Sequence, residues 1–242
     1  VHGPTVATNA LLERRGARTA LVTTEGFADV LEIGRQARLD LYALHPTRPA
    51  PLVPAQWRFE LPERIAPSRK GGITGGGSAD GTSPSTVLLA LDPQAADTVV
   101  ERILAQGLEA VAVCFLFSFL NPAHEQLVGE RLAVLGGEKA PFVSLSSDVL
   151  PEYREYERMS TTVINAYVGP LTNRYLANLE TGLEGRRLRI MQSNGGIISA
   201  GSARVLAART ALSGPAGGVV GGFELARQAG FAEVITFDMG GT

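Results

Sequence analysis

The stretch Val234-Ile235-Thr236-Phe237-Asp238-Met239-Gly240-Gly241-Thr242 decides how the chain is read. Four mostly apolar, β-favouring residues run into an acid, two glycines and a hydroxyl. That order predicts a buried strand delivering a carboxylate to a tight turn. Gly240 and Gly241 can adopt backbone angles that turn successive N–H groups into one concavity, which suits a phosphate. Asp238 at its mouth suits a hydrated Mg²⁺ travelling with a nucleotide. An ordinary hairpin would carry the same residue types, so these nine positions alone leave both readings open.

Working outward, the stretch before the strand, SGPAGGVVGGFELARQAG at 213–230, predicts a helix from Pro215 to about Ala229 closed by Gly230. Its glycines at 214, 218 and 222 share a face, with 217 and 221 beside them. Interior glycine costs a helix roughly 0.5–1 kcal/mol each relative to alanine, so close approach of another backbone is expected there. Upstream, residues 188–191 predict a short strand ending in Gln192-Ser193-Asn194-Gly195-Gly196, where Ser193 and Asn194 offer polar groups to a ligand or simply make a turn. A long helical run over 151–184 is expected to break or kink at Gly169-Pro170.

At the other end, Val1-His2-Gly3-Pro4 resembles the exit of a strand, and residues 5–15 predict a helix. A strand at 18–23 and a helix at about 27–35 follow, a βαβ alternation that implies a parallel sheet. Ligands of such sheets sit beyond the carboxyl ends of strands, where His2, Thr5 and Thr24 are expected. His2, Thr5, Thr8 and Asn9 are therefore candidate substrate contacts, with capping as the alternative for each. Arg35, Gln36 and Arg38 offer charge and amide groups to an anion, or are solvated surface. Prolines at 46, 49, 51, 54, 62 and 67 predict an extended crossing, and KGGITGGGSADGTSPS at 70–85 a loop without the features of a phosphate-binding one. Order resumes with a helix capped by Asp92, a buried strand from 110, a helix to about 135 and a strand at 142–146.

Composition excludes more than it assigns. The 242 residues carry 22 basic and 24 acidic side chains, so no basic block suggests nucleic acid. Hydrophobic residues make up 45%, enough for sizeable cores, yet the longest apolar run is too short to span a membrane. One cysteine, Cys114, cannot form an internal disulfide and fits a reducing, cytoplasmic setting. The histidines at 2, 45 and 124 show no metal-ligand spacing, and no Ser-His-Asp or nucleophile-elbow pattern occurs.

FDMGGT at 237–242 resembles the second phosphate motif of the actin, sugar-kinase and heat-shock-chaperone ATPase superfamily. VHGPTVATNALLERRGARTALVTTEGFADVLEIGRQ (1–36), AVAVCFLFSFLNPAHE (110–125), EYREYERMSTTVINAYVGP (152–170), IMQSNGGIISA (190–200) and SGPAGGVVGG (213–222) are similar to one branch of it, the hydantoinase A/5-oxoprolinase family. The family usually has Thr where Pro4 stands, so a hydroxyl is missing here. The resemblance implies an α/β, actin-like (ribonuclease H-like), two-lobed ATPase fold. It further implies that 1–147 is the family's N-terminal region and 148–242 the first part of its ATPase domain. The family's first phosphate motif, another Asp-x-Gly-Gly-Thr near the N-terminus of the whole protein, has no counterpart ahead of residue 237, so the chain is expected to be part of a longer protein and inactive alone.

By the same resemblance the whole protein is expected to couple ATP cleavage to hydrolysis of a cyclic amide, a hydantoin or 5-oxoproline. Asp238 would hold Mg²⁺ through water, with Gly240, Gly241 and Thr242 binding phosphate. An oligomer and a hydantoinase B-like subunit or domain are expected as partners. The alternatives are the ATP-binding subunit of an acetone- or acetophenone-type carboxylase and a non-enzymatic nucleotide switch.

Overall fold

A computed structural model describes residues 1–37, 42, 44, 45, 49–68, 84–183 and 186–239. It divides into two compact units, one of Val1–Ala17 with Val168–Thr242 and the other Arg18–Tyr167. This spatial grouping cuts across the sequence division at 147/148. The cause is a backbone pairing: His2 N–H donates to Arg189 O at 2.8 Å, and Met191 N–H donates to His2 O at 2.9 Å.

Arg18–Tyr167 is built on a four-stranded, all-parallel sheet. Its strands are β1 (Thr19–Thr24), β2 (Arg58–Leu61), β5 (Ala110–Cys114) and β6 (Phe142–Leu145), in the order β2-β1-β5-β6. Every residue of β1 and β5 is buried, the pattern of central strands covered on both faces. Helices α3 (Pro93–Ala105) and α4 (Ala123–Gly136) pack on each other and on the sheet. Asp92 caps α3 by accepting from Gln94 N–H at 3.0 Å, and Pro93 occupies the first turn, where its missing N–H is harmless. Ala96, Val100 and Ile103 from α3 meet Val128 and Leu132 from α4 in the core with Val111, Val113 and Phe115. A separate antiparallel hairpin joins β3 (Arg64–Pro67) to β4 (Ser85–Leu89).

Two expected helices are shorter than their apolar patterns. α1 spans Val6–Leu12 and α2 only Val30–Ile33, because Arg14 (φ 53°), Gly34 (φ 55°) and Gln36 (φ 56°) turn left-handed just beyond them. The loop read at 70–85 lies outside the described residues save its last two. α5 is a single turn, Ser146–Val149.

The long helix α6 runs without interruption from Glu155 to Gly182, with Pro170 inside it. The break expected at Gly169-Pro170 is absent. An interior proline costs a helix about 3 kcal/mol, but Ala166, Val168, Thr172 and Leu176 are all fully buried on either side. Packing of that stripe outweighs the missing N–H.

In the unit of Val1–Ala17 and Val168–Thr242, β7 (Arg189–Met191) pairs antiparallel with β8 (Ile197–Ser199), and His2 adds an isolated parallel bridge to Ile190. Leu176, Ile190, Ala200 and Ala203 form its core, with Tyr175, Leu188 and Ile198 around them. α7 covers Ala200–Val205, and α8 covers Ser213–Gln228, followed by Gly230 at φ 87°.

The strand expected over Val234–Phe237 is a correction. Residues 233–239 have no regular structure, and Ile235 is 97% exposed. A lone strand leaves every ladder group unpaired, and no strand among the described residues lies beside it.

Among the described residues the backbone approach expected along the glycine face of α8 occurs at its start, while Gly222 further on is approached by the side chain of Thr236. A Cβ on Gly3 would lie 3.0 Å from Ser213 O and 3.3 Å from Gly214 Cα, whereas one on Gly218 or Gly221 would meet nothing within 4 Å. Gly3→Ala should therefore cost about 1–3 kcal/mol through overpacking against backbone. Gly218→Ala should gain roughly 0.5–1 kcal/mol by restricting the unfolded chain and favouring helix. Melting the two variants beside the parent would test this, and the opposite order would place the tight contact elsewhere.

Candidate functional site

α8 organises the residues singled out from the sequence. At its entry Leu212 is left-handed (φ 61°), unusual for a branched residue, and its N–H donates to Thr8 Oγ1 at 2.8 Å. Ser213 Oγ donates to Pro4 O at 3.0 Å, and Thr5 Cγ2 would lie 3.5 Å from a Cβ on Gly214. One turn on, Gly217 faces Met191 at the end of β7, and a Cβ on Gly195 would meet Val220 at 3.3 Å. Near the far end, a Cβ on Gly222 would lie 3.2 Å from Thr236, two residues before Asp238. His2, Thr5 and Thr8 thus lie towards the first turn of α8, the 192–196 loop towards its middle, and the segment carrying Asp238 along its later turns.

Each candidate has a local environment. His2 is half-buried, with Nε2 2.7 Å from Tyr175 Oη. Thr5 is exposed and makes no side-chain cap, while Asn9 is half-buried in α1. Ser193 is exposed and its N–H donates to Arg209 O at 2.8 Å. Asn194 Oδ1 accepts from Gly196 N–H at 2.9 Å, a side-chain turn that leaves the amide NH₂ free of that bond. Asp238 is exposed, and Gly240, Gly241 and Thr242 lie outside the described residues. Among the described residues no group of three His, Cys, Asp or Glu side chains could enclose a metal. A hydrated Mg²⁺ held through water requires no such cage, and one solvent-facing carboxylate like Asp238 fits it.

Sequence reasoning missed Tyr175, Leu212 and a buried polar network in Arg18–Tyr167. Thr24 was expected at a ligand-facing strand end, but it is fully buried and its hydroxyl donates to Glu63 Oε1 while accepting from Leu116 N–H at 3.0 Å. His124 Nδ1 lies 2.7 Å from Glu63 Oε2, and Leu91 N–H donates to His124 Nε2 at 3.4 Å. Glu125 accepts from Phe115 N–H, Ser146 Oγ, Ser147 N–H and Ser147 Oγ at 2.6–3.0 Å. These groups bind the carboxyl end of the sheet together from within. Cys114 beside them is buried, which pushes its thiol up to about 11 and suits it poorly to nucleophilic work.

A cavity of about 950 Å³ lies elsewhere in Arg18–Tyr167, its lining including Leu31, Ile33, Arg35, Pro51, Tyr156 and Val163. Arg35 does not stand free for an anion: its guanidinium meets Glu157 Oε1 at 2.6 Å. A backbone hydrogen bond and then Arg35 hold the Glu157 carboxyl below its ordinary range.

Family comparison decides what this arrangement belongs to. Residues 1–136 match the model of the hydantoinase/oxoprolinase N-terminal region, and residues 158–242 match that of hydantoinase/oxoprolinase itself. The chain belongs to the hydantoinase/oxoprolinase family. It is 34% identical to 5-oxoprolinase of Saccharomyces cerevisiae over 99% of its own length and 19% of that protein. It is likewise 34% identical to caprolactamase subunit alpha of Pseudomonas jessenii, covering all of this chain and 33% of that subunit. The crystal structure of the ATP-dependent caprolactamase superposes over the whole chain with a TM-score of 0.77. Nucleotide-free acetone carboxylase, from work on ATP-dependent acetone carboxylation, gives 0.75 at 26% identity, over 93% of this chain and 31% of that one.

The α/β, actin-like fold expected from the sequence stands with these family members. The chain spans a third or less of the relatives just named. Among the described residues no helix is long and apolar enough to cross a membrane.

Proposed function

We propose that the protein is part of the ATP-binding subunit of an enzyme that opens a cyclic amide of the hydantoin or 5-oxoproline type. What carries this reading is similarity along almost the whole chain to a 5-oxoprolinase and a caprolactamase, both named for ring amides. Residues 1–147 are then the family's N-terminal region and 148–242 the start of its ATPase domain. The setting is cytoplasmic, the assembly oligomeric, and a hydantoinase B-like subunit or domain completes it.

The chemistry explains why ATP is needed. A ring amide is a poor electrophile, because nitrogen feeds electrons into the carbonyl. Transfer of a phosphoryl group to the carbonyl oxygen makes the carbon electrophilic. Water adds there, and the C–N bond breaks with nitrogen leaving as the protonated amine. A second water attacking the resulting acyl phosphate at carbon releases phosphate that carries the original oxygen. Gly240, Gly241 and Thr242 would hold phosphate through backbone N–H groups, and Asp238 would hold the ion. Mg²⁺, when bound there, offsets charge on the phosphates. His2, Thr5, Thr8, Asn9, Ser193 and Asn194 would orient the ring. Thr8 keeps its hydroxyl hydrogen for donation while its oxygen accepts from Leu212 N–H.

The likeness to acetone carboxylase favours a second reading. There phosphoryl transfer would activate a ketone enolate and bicarbonate. A non-enzymatic nucleotide switch is disfavoured by the enzyme names of the relatives.

Heavy oxygen separates these readings. The full-length protein with its partner subunit would be given a cyclic amide labelled at the scissile carbonyl, and the released phosphate weighed. Label in phosphate is the expected result, because that oxygen is bonded to phosphorus before water attacks carbon. Turnover with all the label kept in the ring-opened product, and no acyl phosphate trapped by hydroxylamine, would sink the phosphoryl mechanism.

A further inference from the structure

His2 and Tyr175 are 173 positions apart in sequence, yet both are fixed by elements that do not depend on their side chains. The backbone of His2 is pinned on both sides, to Arg189 O at 2.8 Å and to Met191 N–H at 2.9 Å. Tyr175 stands on α6 next to the fully buried Leu176 and packs against the Leu176, Ile190, Ala200 and Ala203 core. Their rings lie 5.8 Å apart, tilted by 34°, with His2 Nε2 2.7 Å from Tyr175 Oη.

That contact constrains the imidazole. A neutral histidine has one nitrogen that donates and one that accepts, and the partner of the first nitrogen decides which is which. A tyrosine hydroxyl offers one hydrogen to donate as well as lone pairs to accept. Among the described residues Nε2 is the acceptor within reach of this hydroxyl. When the hydroxyl donates to it, Nε2 is the acceptor and Nδ1 carries the ring hydrogen.

We infer that Tyr175 is a positioning residue that holds His2 in the Nδ1–H form, so that His2 presents a hydrogen-bond donor to a carbonyl oxygen of the bound ring. The role rests on the proposed function, in which His2 touches substrate. The tautomer does not, because it belongs to the free protein. A donor at the carbonyl draws electron density towards oxygen and orients the amide for transfer, and an imidazole free to flip would spend part of its time offering a lone pair there instead. Tyr175 touches neither substrate nor ATP in this account and acts only through His2.

The test has two arms on the full-length protein with its partner subunit. In the first, ring-¹⁵N histidine labelling reads the tautomer of His2, assigned by its loss in His2→Asn. The Nδ1–H form is expected in the parent, and a mixture richer in the Nε2–H form in Tyr175→Phe. A parent in the Nε2–H form would overturn the inference whatever the enzyme does. In the second arm, kcat/KM for ring opening should fall on the order of tenfold in Tyr175→Phe, about the worth of one hydrogen bond. Asparagine places an N–H close to where Nδ1–H stands, so His2→Asn should retain part of the activity and Tyr175→Phe should add no loss in that background. A merely structural tyrosine would cost the same in both backgrounds, and that outcome would overturn the role. Absence of ring opening in the parent would refute the proposed function instead, with the tautomer still read in the first arm.

Discussion

Asp238→Asn should lower ATP cleavage on the order of 100-fold while leaving the fold intact, the size of loss seen when a group that holds or orients a metal is changed. The substitution keeps size and shape and removes one negative charge, the part that attracts a hydrated cation. Asp238 is exposed, and among the described residues no hydrogen bond or ion pair reaches it, so the change removes no packing. The loss should fall on kcat, because charge on the phosphates grows during transfer and the ion offsets it there. Steady-state ATPase assays on the full-length protein at saturating Mg-ATP and substrate would read it. Unchanged kcat would remove Asp238 from the chemistry.

The largest expected effect on stability lies at Glu125. The residue is fully buried, and its two oxygens accept from four donors contributed by Phe115, Ser146 and Ser147. A buried carboxylate is tolerated only because those donors replace water. Glu125→Leu would supply apolar volume but strand the N–H of Phe115 and Ser147 away from solvent, the expensive half of any hydrogen-bond deletion. The expected loss is about 2–6 kcal/mol, since each of the two stranded N–H groups costs about 1–3 kcal/mol. Because the chain has two compact units, one unfolding midpoint need not report both. Amide exchange in β5 and β6 should quicken selectively. Asp97→Asn, at the half-buried Asp97–Arg131 pair on the surface, is the control and should cost far less. Equal effects at the two sites would show that the Glu125 network contributes little.

Much of the order was written locally. The Asp92-Pro93 cap starts α3 where expected, the continuous apolar run at 110–114 is a fully buried strand, and Gly230 follows α8. Such features depend on a few adjacent residues and on period, which a sequence displays directly. The ordered segments resembling the hydantoinase A/5-oxoprolinase family were enough to name it. Where the expectation failed, distant residues decided. Pro170 carries every local signal of a helix break, and burial of the flanking stripe overrides it. Val234–Phe237 has a strand's composition, but a strand is a relation between segments, and no partner lies beside it among the described residues.

The sequence by itself determined the α/β class, the family, the caps and the two centremost strands, because periodicity, capping chemistry and motif order are properties of neighbours along the chain. Only the tertiary structure decided what scattered side chains do. It paired His124 with Glu63 across 61 positions and His2 with Tyr175 across 173. It also turned Thr24 inward, brought Gly3 against the backbone at the start of α8, and grouped residues 1–17 with 168–242. Each is a contact between segments that composition leaves free to fall in many places, fixed only when strand order and helix packing bring particular atoms within bonding distance.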